Sequence, residues 1–161
     1  MKKVLREFVW RFFLLFFTFV AAIYAEEKID LVRVDKSSRK MFLMAGPQVV
    51  KVYKIYLGKN PVGHKEKFGD NKTPEGVYIL DYKNNKSIYH KSIHISYPNE
   101  KDRVTAAEKG WDPGGGITIH GQIDNSQKGE YWTEGCIGVT NEDMDEIWIF
   151  LDLPVTIIIE P

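Results

Sequence analysis

The chain has 161 residues, and its 22 basic and 22 acidic side chains cancel at neutral pH. That balance gives no electrostatic footprint for nucleic acid, and a single cysteine excludes both an intramolecular disulfide and a multi-cysteine metal site. Part of the positive charge belongs to the N-terminal segment, so the remainder is mildly acidic.

Lys2, Lys3, Arg6 and Arg11 form a basic start, followed by an apolar run from Phe12 to Ala22 that ends in small residues. This pattern predicts a secretory signal over residues 1–25, or an uncleaved anchor, and either places the rest outside the cytoplasm, in the periplasm or cell envelope. Contact with a membrane is expected only through that segment. Residues 26–161 are long enough for one domain with its own core and too short for two.

Leu31 to Asp35 alternates apolar with polar, Lys36 to Arg39 reads as a turn, and Lys40 to Met44 as the returning strand of a hairpin. Gln48 to Leu57 follows the Gly46-Pro47 break as one longer strand, and Gly58 to Lys72 reads as loop. Thr73-Pro74-Glu75-Gly76 turns into a strand from Val77 to Tyr82, and Ser92 to Ser96 forms another. A helix is expected from Asn99 or Glu100 to about Lys109, with Val104, Ala106 and Ala107 inward and Gly110 as its stop. Asp112 to Gly116 lacks the lysine and helix of a phosphate loop and reads as a flexible turn before a short β-branched run to His120. The second helix spans Asn141 to Leu151, capped by Thr140 or Asn141, with Met144, Ile147, Trp148 and Leu151 as its apolar stripe. Val155 to Ile159 is β-branched enough for a central strand. The sum is a mainly β fold with two small helices.

The chemistry concentrates in two motifs, Ile117-Thr118-Ile119-His120-Gly121 and Thr133-Glu134-Gly135-Cys136-Ile137-Gly138-Val139. An unpaired thiol in an oxidising compartment stands out, because structural cysteines there come in pairs. Gly135 permits a tight turn before Cys136, and His120 ends a strand where it opens into a loop. Thiolate sulfur is a good nucleophile, and a nearby imidazole can take its proton and return it to a leaving amine. The backbone N–H groups of Gly135 and Cys136 are the candidate oxyanion donors. His64, His90 and His94 stand at no recognised ligand spacing, so neither a metal nor another cofactor is expected.

Ile119-His120-Gly121, then Trp132-Thr133-Glu134-Gly135-Cys136-Ile137, a helix beginning at Asn141 and a closing strand resemble the L,D-transpeptidase (YkuD-like) catalytic domain. Gly69-Asp70, Lys72 to Gly76 and Ile95 to Asn99 match the same family, especially its short single-domain periplasmic branch. The resemblance runs from about Leu31 to Pro161. It implies a β-sandwich-like catalytic fold and acyl transfer on peptidoglycan stem peptides, with Cys136 as nucleophile, His120 as base and the Gly121 carbonyl orienting the imidazole. The acceptor would be a second stem, an envelope protein or water, the last giving a carboxypeptidase or amidase; a catalytically silent wall-binding module is the distant alternative. Tyr97, Trp132, Thr133 and Arg103 are the candidate substrate contacts, and the Gln122 to Tyr131 loop is expected to border the cleft. Many family members carry histidine two residues before the cysteine and arginine two after it. This chain has Glu134 and Gly138 instead, which leaves Lys101, Arg103 and Lys128 as candidates for binding a substrate carboxylate.

Overall fold

The computed structural model describes residues 28–122 and 131–161. The N-terminal segment over residues 1–25 lies outside them. Ten strands and two helices follow in chain order: β1 (Leu31–Asp35), β2 (Lys40–Ala45), β3 (Gln48–Lys54), β4 (Leu57–Gly58), β5 (Gly76–Asn84), β6 (Ser92–Ile95), α1 (Glu100–Glu108), β7 (Thr118–His120), β8 (Tyr131–Thr133), β9 (Ile137–Gly138), α2 (Asn141–Phe150) and β10 (Val155–Glu160). Eight strands form one curled sheet in the order β3-β2-β1-β10-β5-β6-β7-β9, and β4 pairs with β8 beside it. The mainly β expectation with two small helices therefore holds for the described residues.

Alternation decides which side chains make the core. Val32 and Val34 of β1, Leu80 of β5, Ile93 and Ile95 of β6, Ile119 of β7, Ile137 of β9 and Ile157 of β10 are all buried on one face. The period-2 pleat puts their sequence neighbours on the other. Met144 and Ile147 of α2 and its C-cap Leu151 pack into the same core, with Trp148 half-buried against it. At about 25 cal/mol per Å² of apolar surface, each fully buried Ile or Leu contributes roughly 1.5–3 kcal/mol. The Thr140 hydroxyl accepts the Asp143 N–H at 3.1 Å and is the N-cap of α2.

Two expectations need correction. The strand predicted from Gln48 to Leu57 is broken. β3 ends at Lys54, the Ile55 N–H donates to the Arg39 carbonyl, and Tyr56 exchanges two 2.8 Å backbone hydrogen bonds with Gly138. Leu57 and Gly58 then pair in parallel with Tyr131 and Thr133. The chain has changed neighbours, and alternation of side chains carries no mark of that change.

The inward face of α1 is also different. Ala106 is buried, but Val104 is 48% exposed and Ala107 is exposed too. What faces inward is Asp102, whose carboxylate accepts from the Tyr78 hydroxyl at 3.0 Å and from the Asn99 N–H at 2.9 Å. Asn99 returns the bond to the Asp102 N–H, completing a capping box. Polar anchoring, not an apolar stripe, seats this helix.

Candidate active site

β7 and β9 run parallel in the sheet, with Ile119 opposite Ile137 and His120 opposite Gly138. Because Ile119 points into the core, Thr118 and His120 point to the other face. There Thr118 meets Cys136, whose sulfur accepts from the Thr118 hydroxyl at 3.7 Å and donates to the Gly116 carbonyl at 3.8 Å. Cys136 and His120 share the wall of one cleft of about 410 Å³, within the range of small-molecule sites.

His120 is almost wholly enclosed. The Tyr89 ring lies 4.4 Å from it between centroids, and Trp132 presents an edge at 5.4 Å. Nδ1 lies 2.7 Å from the Gly121 carbonyl, which can only accept, so Nδ1 carries the hydrogen and Nε2 keeps its lone pair. Burial pushes the imidazole pKa below its ordinary value, while the Gly121 bond pulls the other way. Burial likewise pushes the Cys136 thiol up, against the Thr118 N–H and hydroxyl and the positive charge of Lys65, with Glu134 raising it further. Thiol and imidazole therefore both rest neutral near pH 7, one holding a proton and the other able to take it.

The turn bearing the thiol is held by backbone contact. Gly135 has φ +129°, which a side-chain-bearing residue rarely adopts, and a Cβ there would lie 2.5 Å from the Lys72 carbonyl oxygen. Gly58 is equally confined, with a virtual Cβ 2.1 Å from the Asn71 oxygen. The Thr133 hydroxyl closes the turn, donating to the Cys136 carbonyl at 2.7 Å and accepting the Gly135 N–H at 3.2 Å.

A model of the YkuD family, described as the L,D-transpeptidase catalytic domain, matches residues 29–159. The chain belongs to that family. It is 34% identical over 106 residues to Escherichia coli K12 YafK, a protein provisionally named an L,D-transpeptidase, covering 65% of this chain and 38% of that one. The helical cell shape determining protein Pgp2 of Campylobacter jejuni is 30% identical with a TM-score of 0.66, over 82% of this chain and 47% of Pgp2. Bdellovibrio bacteriovorus Bd1075 is 26% identical with a TM-score of 0.60, over 83% and 48% of the two chains. The chain thus spans less than half the length of these relatives.

Of the site residues expected for this family, the fold brings Cys136, His120, Trp132 and Thr133 to the cleft and the Gly121 carbonyl to the imidazole. Other placements differ from expectation. Tyr97 is 3% exposed and does not line the cleft; its ring packs edge-on against Tyr78, and its hydroxyl donates to the Pro113 carbonyl at 3.0 Å. Arg103 lies on the exposed side of α1 with its guanidinium on Glu100 and the Pro98 carbonyl. Thr133 uses its hydroxyl inside the turn. The Gly135 N–H is likewise spent on Thr133, so of the two expected oxyanion donors it is not free in this conformation. Lys101 is exposed on α1, whereas Lys128 and the loop from 123 to 130 lie outside the described residues.

Four cleft residues carry no sequence signal: Lys65, Phe68, Asn71 and Tyr89. All come from stretches whose polar composition reads as solvent-facing loop. Asn141, offered by the sequence as a cap, instead accepts the Gln122 N–H at 2.7 Å and so pins the backbone just after His120-Gly121. His64, His90 and His94 pair with Asp102, Asp145 and Asp81, respectively.

Proposed function

We propose that this domain is a cysteine-dependent acyltransferase acting on peptidoglycan stem peptides in the periplasm or cell envelope. The observation that carries the reading is the presence, in one cleft, of the Cys136 thiol and an imidazole whose tautomer leaves Nε2 open. Membership of the L,D-transpeptidase catalytic-domain family supports the substrate class, and the basic-then-apolar N-terminus supports export.

In this mechanism the stem's carbonyl at the L-centre of meso-diaminopimelate enters beside Cys136. The thiol proton passes to His120 Nε2, and the sulfur attacks. A C–S bond forms, the C–N bond to D-alanine breaks, and the imidazolium returns its proton to the departing amine. The Gly121 carbonyl, already bonded to Nδ1–H, stabilises the transient positive ring. An acceptor amine then attacks the thioester, loses its proton to His120, and expels the sulfur. With a second stem as acceptor the product is a cross-link, with a lysine of an envelope protein it is an anchor, and with water it is a trimmed stem.

The test is incubation of the purified protein with tetrapeptide muropeptides, with products followed by mass. Cross-linked dimers establish transpeptidation, and loss of D-alanine without dimers establishes hydrolysis. Unchanged substrate refutes the reading.

A further inference from the structure

Among the described residues that line the cleft, Lys65 is the sole cation. Unlike a surface lysine, it is 3% exposed. Its ammonium donates to Asp70 Oδ1 at 2.8 Å and to the Lys67 carbonyl at 3.1 Å. An ammonium has three N–H groups and no acceptor, so one remains for a ligand.

The mount for this charge is rigid. The Asp70 carboxylate also accepts the N–H groups of Glu66, Lys67 and Lys72, all within 3.1 Å. Burial works to raise the Asp70 pKa, but Lys65 and these three N–H groups outweigh it and hold the group ionised. Behind Lys65, its own carbonyl accepts from the buried Tyr97 hydroxyl at 3.4 Å. A buried lysine held by a carboxylate and still one donor short is costly unless something uses it. Its charge also reaches the thiol, where it favours the thiolate. No cation can be supplied from position 138, because a Cβ there would lie 2.4 Å from the Trp132 ring.

We propose that Lys65 is the carboxylate anchor of the cleft, binding a free carboxylate of the stem peptide through its third N–H and so selecting which stems are acylated. This rests on the acyl-transfer reading above. A tetrapeptide stem offers three such groups: the α-carboxylate of its γ-linked D-glutamate, the D-centre carboxylate of diaminopimelate and the terminal carboxylate of D-alanine.

The experiment compares kcat/KM for four synthetic stems: the unmodified tetrapeptide, its glutamate α-carboxamide, its diaminopimelate D-centre carboxamide and its terminal carboxamide. In the wild-type protein one carboxamide should fall about ten- to a hundredfold below the acid, the scale of a charge-assisted hydrogen bond. Whichever falls identifies the carboxylate. Lys65→Met should lower the acid stem to the level of that carboxamide, chiefly through KM, and Lys65→Arg should retain the preference. Lys65→Gln keeps N–H donors for Asp70 and Lys67 while dropping the charge, and gives the same readout should Lys65→Met fail to fold. Equal turnover of all four stems by the wild type overturns the proposal. So does a Lys65 variant that slows acid and carboxamide by the same factor, which would make Lys65 a support for the loop or the thiol. Turnover of none of the stems overturns the acyl-transfer reading instead.

Discussion

Filling position 138 is a direct test of how the cleft is packed. A Cβ on Gly138 would stand 2.4 and 2.6 Å from Cζ2 and Cη2 of Trp132 and 3.1 Å from Cε2, whereas ordinary contact begins near 3.4 Å. Backbone movement cannot relieve this easily, because Gly138 is tied to Tyr56 by two 2.8 Å hydrogen bonds. Nor can the indole simply swing, since its edge rests on His120 and it lies 5.9 Å from the Tyr56 ring. Gly138→Ala should therefore cost about 1–3 kcal/mol, the usual penalty for an extra carbon in a filled space. Trp132→Ala alone should cost about 2–4 kcal/mol, since the ring is only partly buried. In the Trp132→Ala background the alanine at 138 meets no ring, so its own cost should shrink to within about 0.5 kcal/mol of zero. Urea unfolding of the four proteins, with unchanged m-values, measures this coupling. Equal costs of Gly138→Ala in both backgrounds would refute the packing argument. Success would also explain why an arginine cannot stand at this position.

Other expectations can be checked on the same protein. Cys136→Ala and Cys136→Ser should abolish turnover with unfolding midpoints near wild type, and retained turnover would remove Cys136 as nucleophile. His120→Gln should lower kcat/KM by about a hundredfold or more. Because burial lowers the imidazole pKa from 6.5, the acidic limb of the wild-type kcat/KM profile should lie below pH 6.5, activity being lost only as falling pH protonates the ring; a limb above that value would contradict a buried neutral base. With the base gone, iodoacetamide labelling of Cys136 in His120→Gln should rise only above pH 9, since burial raises the thiol from its ordinary 9.0. Asn141→Ala removes the acceptor of the Gln122 N–H and should cost about 1–2 kcal/mol in urea together with several-fold in kcat, through a looser Gly121 carbonyl.

Much of this is legible in the sequence, and the reasons are local. β1 and its turn, the start of α1, the α2 stripe and β10 all follow from periodicity and helix-start signals, which act within a few residues. His120 and Cys136 were legible because a strand end and a Gly-Cys turn are also short-range features. What escaped depends on distant partners. Nothing near Lys54 announces that the chain will leave β2 for Gly138 and β8. Lys65 lies in a stretch composed like a solvated loop, and only the many-bonded Asp70 makes it a cleft residue. The motif of Tyr97 suggests a cleft wall, yet its hydroxyl donates to the Pro113 and Lys65 carbonyls behind that wall. Helical spacing places Val104 inward, but the bonds of Asp102 set the inward face.

The position of β10 has a further consequence. It is the last strand along the chain and yet lies mid-sheet, parallel to β1 on one side and antiparallel to β5 on the other. Until it arrives, β3-β2-β1 and β5-β6-β7-β9 are two half-sheets, each with an apolar central strand bare along one edge, a state open to pairing with other chains. A chain emerging N-terminus first thus carries His120 and Cys136 into a structure that cannot close around them before residues 155–160 follow. Closure between residues so far apart in sequence is intrinsically slow. Loss of that strand would split the domain down its middle, so a proteolytic nick just before Val155 should disarm the thiol and not merely fray an end.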